Sequence, residues 1–405
     1  MLFTSNLRDF AEMLSCAVDL MERGTYHHGQ KVAYIALHIF EHMEISEDPA
    51  DLVIASYIHD IGISSFEDKE KAREFFASSE LLREHCLDGA YLVESVDILK
   101  DLKYIILHHH TRYTDIDKQA EEVPLEAQII NLADRVEVLI KPDKHILEQV
   151  DNIVDTVLRY RGTLFNPDIM DAFLALSAKE SFWLDISNEY QHKYEHIDFP
   201  GLNIKMNMKD IHQFSYLCAK IVDRKSPYTA RHSQRIAAIA SALGRLCGMD
   251  EQDVFFLELA GLLHDIGKLS VPEHILTKKG RLSDAEYRVM KQHTYYTYCL
   301  IDRLKIMNKV RDWASFHHER LDGSGYPFHL KGNQLDLGAR IMAVADIAGA
   351  LTEDRPYRAG FGKQEVMSML REQVNNNLID GDVVRVLGNH FDEIIYSAAE
   401  NKSVV

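Results

Sequence analysis

One set of histidines and aspartates occurs twice in this 405-residue chain, in the same order and at nearly the same spacing. The first pass reads His28, His59-Asp60, His85, His109-His110 and Asp134; the second reads His232, His264-Asp265, His293, His317-His318 and Asp346. His28 to His59 spans 31 residues and His232 to His264 spans 32, while His85 to His109 and His293 to His317 both span 24. A period of about 200 residues is far longer than that of solenoid repeats, so the chain is built as two copies of one domain and not as an array. Imidazoles and carboxylates are the groups that hold divalent transition metals, and seven of them in matched order are hard to attribute to packing.

Each copy reads as helical. Apolar residues recur at three- and four-residue steps through Lys31–Phe40, Pro49–His59, Ala237–Leu246 and Asp253–Leu263, the signature of amphipathic helices. The nine prolines sit mostly between such segments, and strand-like alternation is hard to find. An all-α fold of two tandem helical bundles is expected. The polar stretch His192–Met208, with Pro200-Gly201, marks the boundary, giving domains 1–198 and 206–405. The duplication extends to the apolar runs Ile129–Asp134 and Ile341–Asp346, each ending in an acid.

A net charge of −18 repels polyanions, which argues against a long nucleic acid partner. A small phosphorylated ligand would need a local cationic site, which metals and a few arginines supply. Five cysteines without a CxxC pair fit a reducing cytoplasm. Arg8, Asp9, Glu12 and Asp19 interrupt the first apolar positions, so no signal peptide is expected, and no run has the length of a membrane helix.

The second copy carries more than ligands: His264-Asp265-Ile266-Gly267-Lys268, then His317-His318-Glu319-Arg320, then Gly325-Tyr326-Pro327. Neighbours on a helix point about 100° apart, so His264 and Asp265 can address one site only from an irregular or terminal turn. Gly267 suits such a helix end. A carboxylate between two ions can give one oxygen to each.

These strings, with His232-Ser233, Val271-Pro272, Val344-Ala345-Asp346 and Arg355-Pro356-Tyr357-Arg358, resemble the HD-GYP domain, a subgroup of the HD metal-dependent phosphohydrolases. The resemblance covers about Lys209 to Glu400. It implies HD-type bundles and hydrolysis of a cyclic dinucleotide, cyclic di-GMP or 3',3'-cyclic GMP-AMP. It implies two divalent transition ions of iron, manganese, nickel or zinc. One would be held by His232, His264, Asp265 and Asp346, the other by His293, His317 and His318, with Asp265 as catalytic bridge. Lys268 would act in catalysis and contact the scissile phosphate; Arg320, Tyr326, Arg355 and Arg358 would contact substrate. Gly323 and Gly325 would let backbone approach the ligand. Some members hold a third metal through a Glu four residues before the first His; Tyr228 stands there, so two ions are expected. The family often has a further Asp three residues after the metal-binding one; Gly349 stands there, and the orientation of Lys268 is expected to change with it.

The first copy resembles a degenerate HD domain. A residue stands at every ligand position (His28, His59, Asp60, His85, His109, His110, Asp134), which leaves a second metal site open. His108-His109 is an alternative pair, but His109-His110 preserves the 24-residue step. The phosphate-handling positions differ: Ile63 stands for Lys268, Thr111-Arg112 for Glu319-Arg320, and Asp143 and Ile146 for the two arginines. Only the second domain is therefore expected to hydrolyse substrate, with the first sensory, dimerising or regulatory, and a homodimer is compatible with that role. Two rivals stand beside this reading: another nucleotide phosphohydrolase of the HD class, and a non-catalytic cyclic dinucleotide sensor.

Overall fold

The apolar stripes all fall in helices: His28–His42, Ala50–Ile58, His232–Leu246 and Glu251–Leu263. The structure, a computed structural model, describes residues 5–21, 27–75, 79–187, 197–225, 231–305, 307–354 and 359–400. Tyr228, Arg355 and Arg358 lie outside the described residues. Among the described residues the strands are Ser5–Asn6 and Lys205–Met206, paired antiparallel with Ser5 opposite Met206. The fold is all-α, as expected. No helix among the described residues is long and apolar enough to cross a membrane.

Two compact units divide the chain, Met1–Gln213 and Phe214–Val405. The sequence places the start of the second domain at Met206; the packing carries the first unit further. Met206 pairs with Ser5, and Asp97 accepts from Lys209 Nζ at 2.6 Å and from Gln213 Nε2 at 3.1 Å. The start of the Met208–Lys225 helix thus belongs with the first unit. Two short polar contacts of this kind leave no trace in hydrophobic periodicity.

Within the first unit the ligand-bearing elements are His28–His42, the end of Ala50–Ile58, Ser79–Glu94, the end of Lys103–His108, and Leu125–Glu137. Within the second they are His232–Leu246, the end of Glu251–Leu263, Asp284–Asp302, the end of Asn308–Ser315, and Leu337–Thr352. Local chemistry sets several starts. Asp250 accepts from Asp253 N and Asp336 from Ala339 N, and Ser283 forms a capping box with Glu286. Such caps satisfy amides that have no partner within the helix. Each unit buries one tryptophan completely, Trp183 or Trp313, with its indole N–H bonded to Ser177 O or Asp336.

Candidate metal centres

The two HD pairs sit where the sequence requires them. The helices end at Ile58 and Leu263, and His59 and His264 are the residues that cap them. Asp265 then takes φ −102°, ψ 6°, a non-helical turn that brings it round to the same side as His264. Gly267 has a different job from the helix-end role expected of it. It lies in the turn Ile266–Ser270, and its φ is not positive. A Cβ there would lie 1.9 Å from the His293 carbonyl oxygen. The equivalent Gly62 would meet His85 O at the same 1.9 Å. Each glycine lets the HD turn press against the helix that carries the next histidine.

In the second unit all seven ligand positions converge. Asp265 Oδ2 faces His264 Nε2 at 3.1 Å and His232 Nε2 at 3.8 Å, whereas Asp265 Oδ1 faces His293 Nε2 at 3.6 Å. Asp346 Oδ1 lies 3.6 Å from His232 Nε2 and 3.9 Å from His264 Nε2, and its Oδ2 lies 3.9 Å from His318 Nδ1. His293 and His317 bring their Nε2 atoms to 3.3 Å. Four histidines are fixed from behind. His264, His293 and His317 donate Nδ1–H to the carbonyls of Gly261, Met290 and Ala314 at 2.6–2.8 Å. His232 Nδ1 lies 3.0 Å from both oxygens of Glu353. With the proton on Nδ1, the Nε2 lone pairs of His293 and His317 point at each other, an arrangement that a shared cation relieves.

The donor set fits divalent ions on a further observation. Buried His264 Nε2 and Asp265 Oδ1 have no hydrogen-bond partner, a costly state for interior polar atoms. Electrostatics agree. Burial would raise the Asp265 carboxyl, but His264 and Lys268 hold it well below the usual range. Burial pushes the His293 imidazole down to about 3, which keeps it neutral and able to ligate. For His232 burial is outweighed by Asp346 and Glu353, which push it up to about 10, so in the absence of metal its Nε2 holds a proton that a bound ion would displace.

The lysine and the loop complete the mouth of this site. Lys268 Nζ bonds Asp265 Oδ2 at 2.5 Å, and 22% of its side chain stays exposed. The Tyr326 ring stands 5.0 Å from that of His318 and 6.2 Å from that of Tyr287, with Lys291 Nζ over both tyrosines at 5.2 and 5.0 Å. Arg320 is exposed.

Glu319, next to the ligands, is the anchor that sequence reasoning did not assign. It is buried and accepts from Phe328 N at 2.7 Å and Leu330 N at 3.0 Å, folding the Gly-Tyr-Pro loop back on the histidine pair. Gly325 serves that fold: a Cβ there would lie 2.4 Å from Glu319 Cα and Arg320 N. At Gly349, where the family often has a second Asp, a Cβ would meet Ile236 Cδ1 at 2.2 Å and require that side chain to shift. Glu353, one turn further, reaches His232 instead. It could have been found only by noting an acid just past the Leu337–Thr352 helix.

The first unit assembles the same constellation. His28 Nε2 lies 3.4 Å from His59 Nε2 and from Asp134 Oδ1, and His85 Nε2 lies 3.2 Å from His109 Nε2. His110 Nε2 faces Asp134 Oδ2 at 3.9 Å, whereas His108 Nδ1 bonds Thr111 Oγ1, so His109-His110 is the pair turned to the centre. Glu137, three residues past Asp134 where the second copy has Gly349, makes the contact that Glu353 makes there, 2.7 Å from His28 Nδ1. Ile63, at the position of Lys268, is buried. Yet an ammonium is present: Lys69, from the helix Phe66–Ala72, bonds Asp60 Oδ2 at 2.6 Å. Nothing in the motif spacing points to Lys69, because it arrives on another helix.

Comparisons with known proteins follow the same division. Residues 25–139 and residues 216–383 each match an HD domain family. The chain is 33% identical over 404 residues to the 3'3'-cGAMP-specific phosphodiesterase 1 of Vibrio cholerae, covering 94% of this chain and 91% of that protein. It is 41% identical over 146 residues to the cyclic di-GMP phosphodiesterase PA4108 of Pseudomonas aeruginosa, covering 36% of this chain and 35% of that one. A crystal structure of a cyclic GMP-AMP specific phosphodiesterase of V. cholerae, V-cGAP3, superposes with a TM-score of 0.68 at 24% identity over 96% of this chain and 98% of the other, a likeness of fold. A duplicated HD bundle whose second copy carries the lysine and the Gly-Tyr-Pro loop, together with a full-length relative of this kind, means that the chain belongs to the HD-GYP family of metal-dependent phosphodiesterases.

Proposed function

We propose that the second unit hydrolyses a 3',5'-phosphodiester bond of a cyclic dinucleotide, with 3',3'-cyclic GMP-AMP the first candidate and cyclic di-GMP the second. One observation carries the reading. Asp265 turns its two oxygens to two separate histidine sets, and Lys268 stands beside it at the exposed side of the site. His232, His264, Asp265 and Asp346 would hold one divalent ion, and His293, His317, His318 and Asp265 the other. Iron, manganese, nickel and zinc all suit such a set. When bound, such a pair supplies Lewis acidity at a phosphoryl oxygen and a nucleophile at neutral pH.

The chain's own groups do the rest. Glu353 and the carbonyls behind His264, His293 and His317 keep the Nε2 atoms of those four rings aimed inward. Lys268, partly exposed beside Asp265, can turn its ammonium from Asp265 to the scissile phosphate, where it balances charge as the 3'-oxygen leaves. Arg320, Arg355 and Arg358 are assigned to phosphate contact, for which a planar guanidinium is suited. Tyr326 and the exposed Tyr287 offer flat faces for a base at the mouth. None of the five cysteines forms a disulfide, which suits action in the cytoplasm. The first unit is assigned a structural or regulatory role.

A 3'3'-cGAMP-specific relative matched over nearly its full length favours the mixed dinucleotide, while the local 41% match to a cyclic di-GMP enzyme keeps the symmetric one in the test. The experiment is product chromatography with anaerobically prepared full chain, offered both cyclic dinucleotides and a panel of linear nucleotides. Consumption of a cyclic dinucleotide is expected. Turnover confined to linear nucleotides would assign another HD-class hydrolase. Tight binding without turnover by metal-loaded protein would assign a sensor.

A further inference from the structure

The two centres share their ligands but differ in the cations the chain itself puts into them. In the first unit Lys69 is completely buried, with Nζ 2.6 Å from Asp60 Oδ2. Arg135 is buried as well and bonds Asp134 Oδ2 through Nη2 at 2.6 Å and Nε at 3.0 Å, while its guanidinium also caps the carbonyls of Ala72 and Glu74. Arg73 lies 3.3 Å from Glu137. In the second unit Ile347 follows Asp346 where Arg135 follows Asp134, and Lys268 is partly exposed. Buried atoms without a hydrogen-bond partner tell the same story. Among the described residues two belong to ligand positions of the second centre and none to those of the first.

One side of the first centre is untouched by these cations. His85 and His109 donate Nδ1–H to Leu81 O and Ile106 O, at 3.2 and 2.6 Å. Their Nε2 lone pairs therefore face each other at 3.2 Å, with Asp60 Oδ1 3.7 Å from His85 Nε2. Two lone pairs in buried contact call for a cation between them.

We infer that the N-terminal centre is mononuclear: one divalent ion sits on His85, His109, His110 and Asp60 Oδ1, and the ammonium of Lys69 takes the place of the second. A divalent ion beside Asp60 Oδ2 would have to share that oxygen with the ammonium of Lys69, which is wholly buried against it. Lys268 in the second centre can swing outward and admit the ion. A single ion beside a lysine cannot clamp both the attacking and leaving oxygens of a phosphodiester, so this centre lacks the two-ion arrangement of the second and serves to hold its bundle together.

The inference rests on the binuclear reading of the second centre for its total but not for its own signal. The test is metal content of the full chain, purified anaerobically and saturated with Mn²⁺ before desalting. Wild type is expected to retain three ions per chain. His85→Gln should lose one, Asp265→Ala should lose two, and Lys69→Met should gain one by freeing Asp60 Oδ2. Thermal unfolding of Lys69→Met should also become more dependent on Mn²⁺ than that of wild type. Four ions in wild type, or an unchanged count in His85→Gln, overturns the mononuclear centre even if Lys69→Met does not fold. A count that falls with His85→Gln but not with Asp265→Ala overturns the reading of the second centre and leaves this one standing.

Discussion

His232 Nδ1 lies 3.0 Å from each oxygen of Glu353, seven residues past the metal-site Asp346. The carboxylate fixes the ring's tautomer and leaves Nε2 directed at Asp346 and Asp265. Groups that orient a ligating histidine typically contribute about 10- to 100-fold to metal affinity or activity. Glu353→Gln is therefore expected to bind metal roughly 10-fold more weakly while unfolding at nearly the wild-type temperature. Competition with a chelator of known affinity measures it; unchanged affinity would remove Glu353 from the site.

Asp265→Ala should abolish hydrolysis and strip both ions from the second unit, since each histidine set faces a different oxygen of this one carboxylate. Metal analysis and turnover on the same preparation decide it. Turnover with metal unchanged would sink the shared-ligand assignment.

Lys268→Ala should behave differently. Its ammonium touches Asp265 but is no metal ligand, so metal content should hold or rise. Losing one charge-assisted phosphate contact should lower kcat/KM by about 10- to 100-fold. Arg355→Ala and Arg358→Ala are expected to fall in the same range. Wild-type kinetics in all three would place the phosphate contacts elsewhere.

Glu319→Ala leaves the amides of Phe328 and Leu330 without their acceptor. Each stranded amide costs about 1–3 kcal/mol if it stays buried, so the loop should loosen instead. Because that loop places Tyr326 beside His318, the expected result is a raised KM for the cyclic dinucleotide with metal content intact. Hydrogen exchange across residues 321–331 should speed up; unchanged exchange would show that the loop is held by other contacts.

Lys225 gives a pH signature. Burial, only partly offset by Glu273, pushes its ammonium down to about 7 from 10.5, and its Nζ reaches Leu269 O at 2.6 Å. The folded chain then carries fewer protons than the unfolded one between about pH 7 and 10.5. Stability should rise with pH through that window, by up to ~1.4 kcal/mol per pH unit from this group. Lys225→Met should flatten the slope in denaturant titrations at pH 7 to 10. An identical slope in both proteins would assign the dependence to other groups.

Much of the site was legible in the sequence because metal ligands come from a short menu of residue types and the duplication printed the set twice. The seven positions of each copy, the helical character and the break in the helix at His264-Asp265 all follow from residue type and spacing. The choice of His109-His110 over His108-His109 also came from spacing, and the geometry agrees.

Other features were invisible for a physical reason: they depend on which helix lies against which. Gly62 and Gly267 look like helix-end residues in one dimension, but their need is for contact with a helix more than twenty residues away. Glu319 and Gly325 read as parts of a ligand-binding motif, whereas the packing makes them the fastening of a loop. Lys69 shows the gap most clearly. By position the lysine of the first copy is lost to Ile63, and only the path of the Phe66–Ala72 helix returns an ammonium to the equivalent carboxylate, on a side chain that is itself fully buried. The sequence by itself determined the ligand chemistry, because that resides in side-chain types. The tertiary structure decided which charges are buried together, because solvent access and through-space contact are properties of the packed chain.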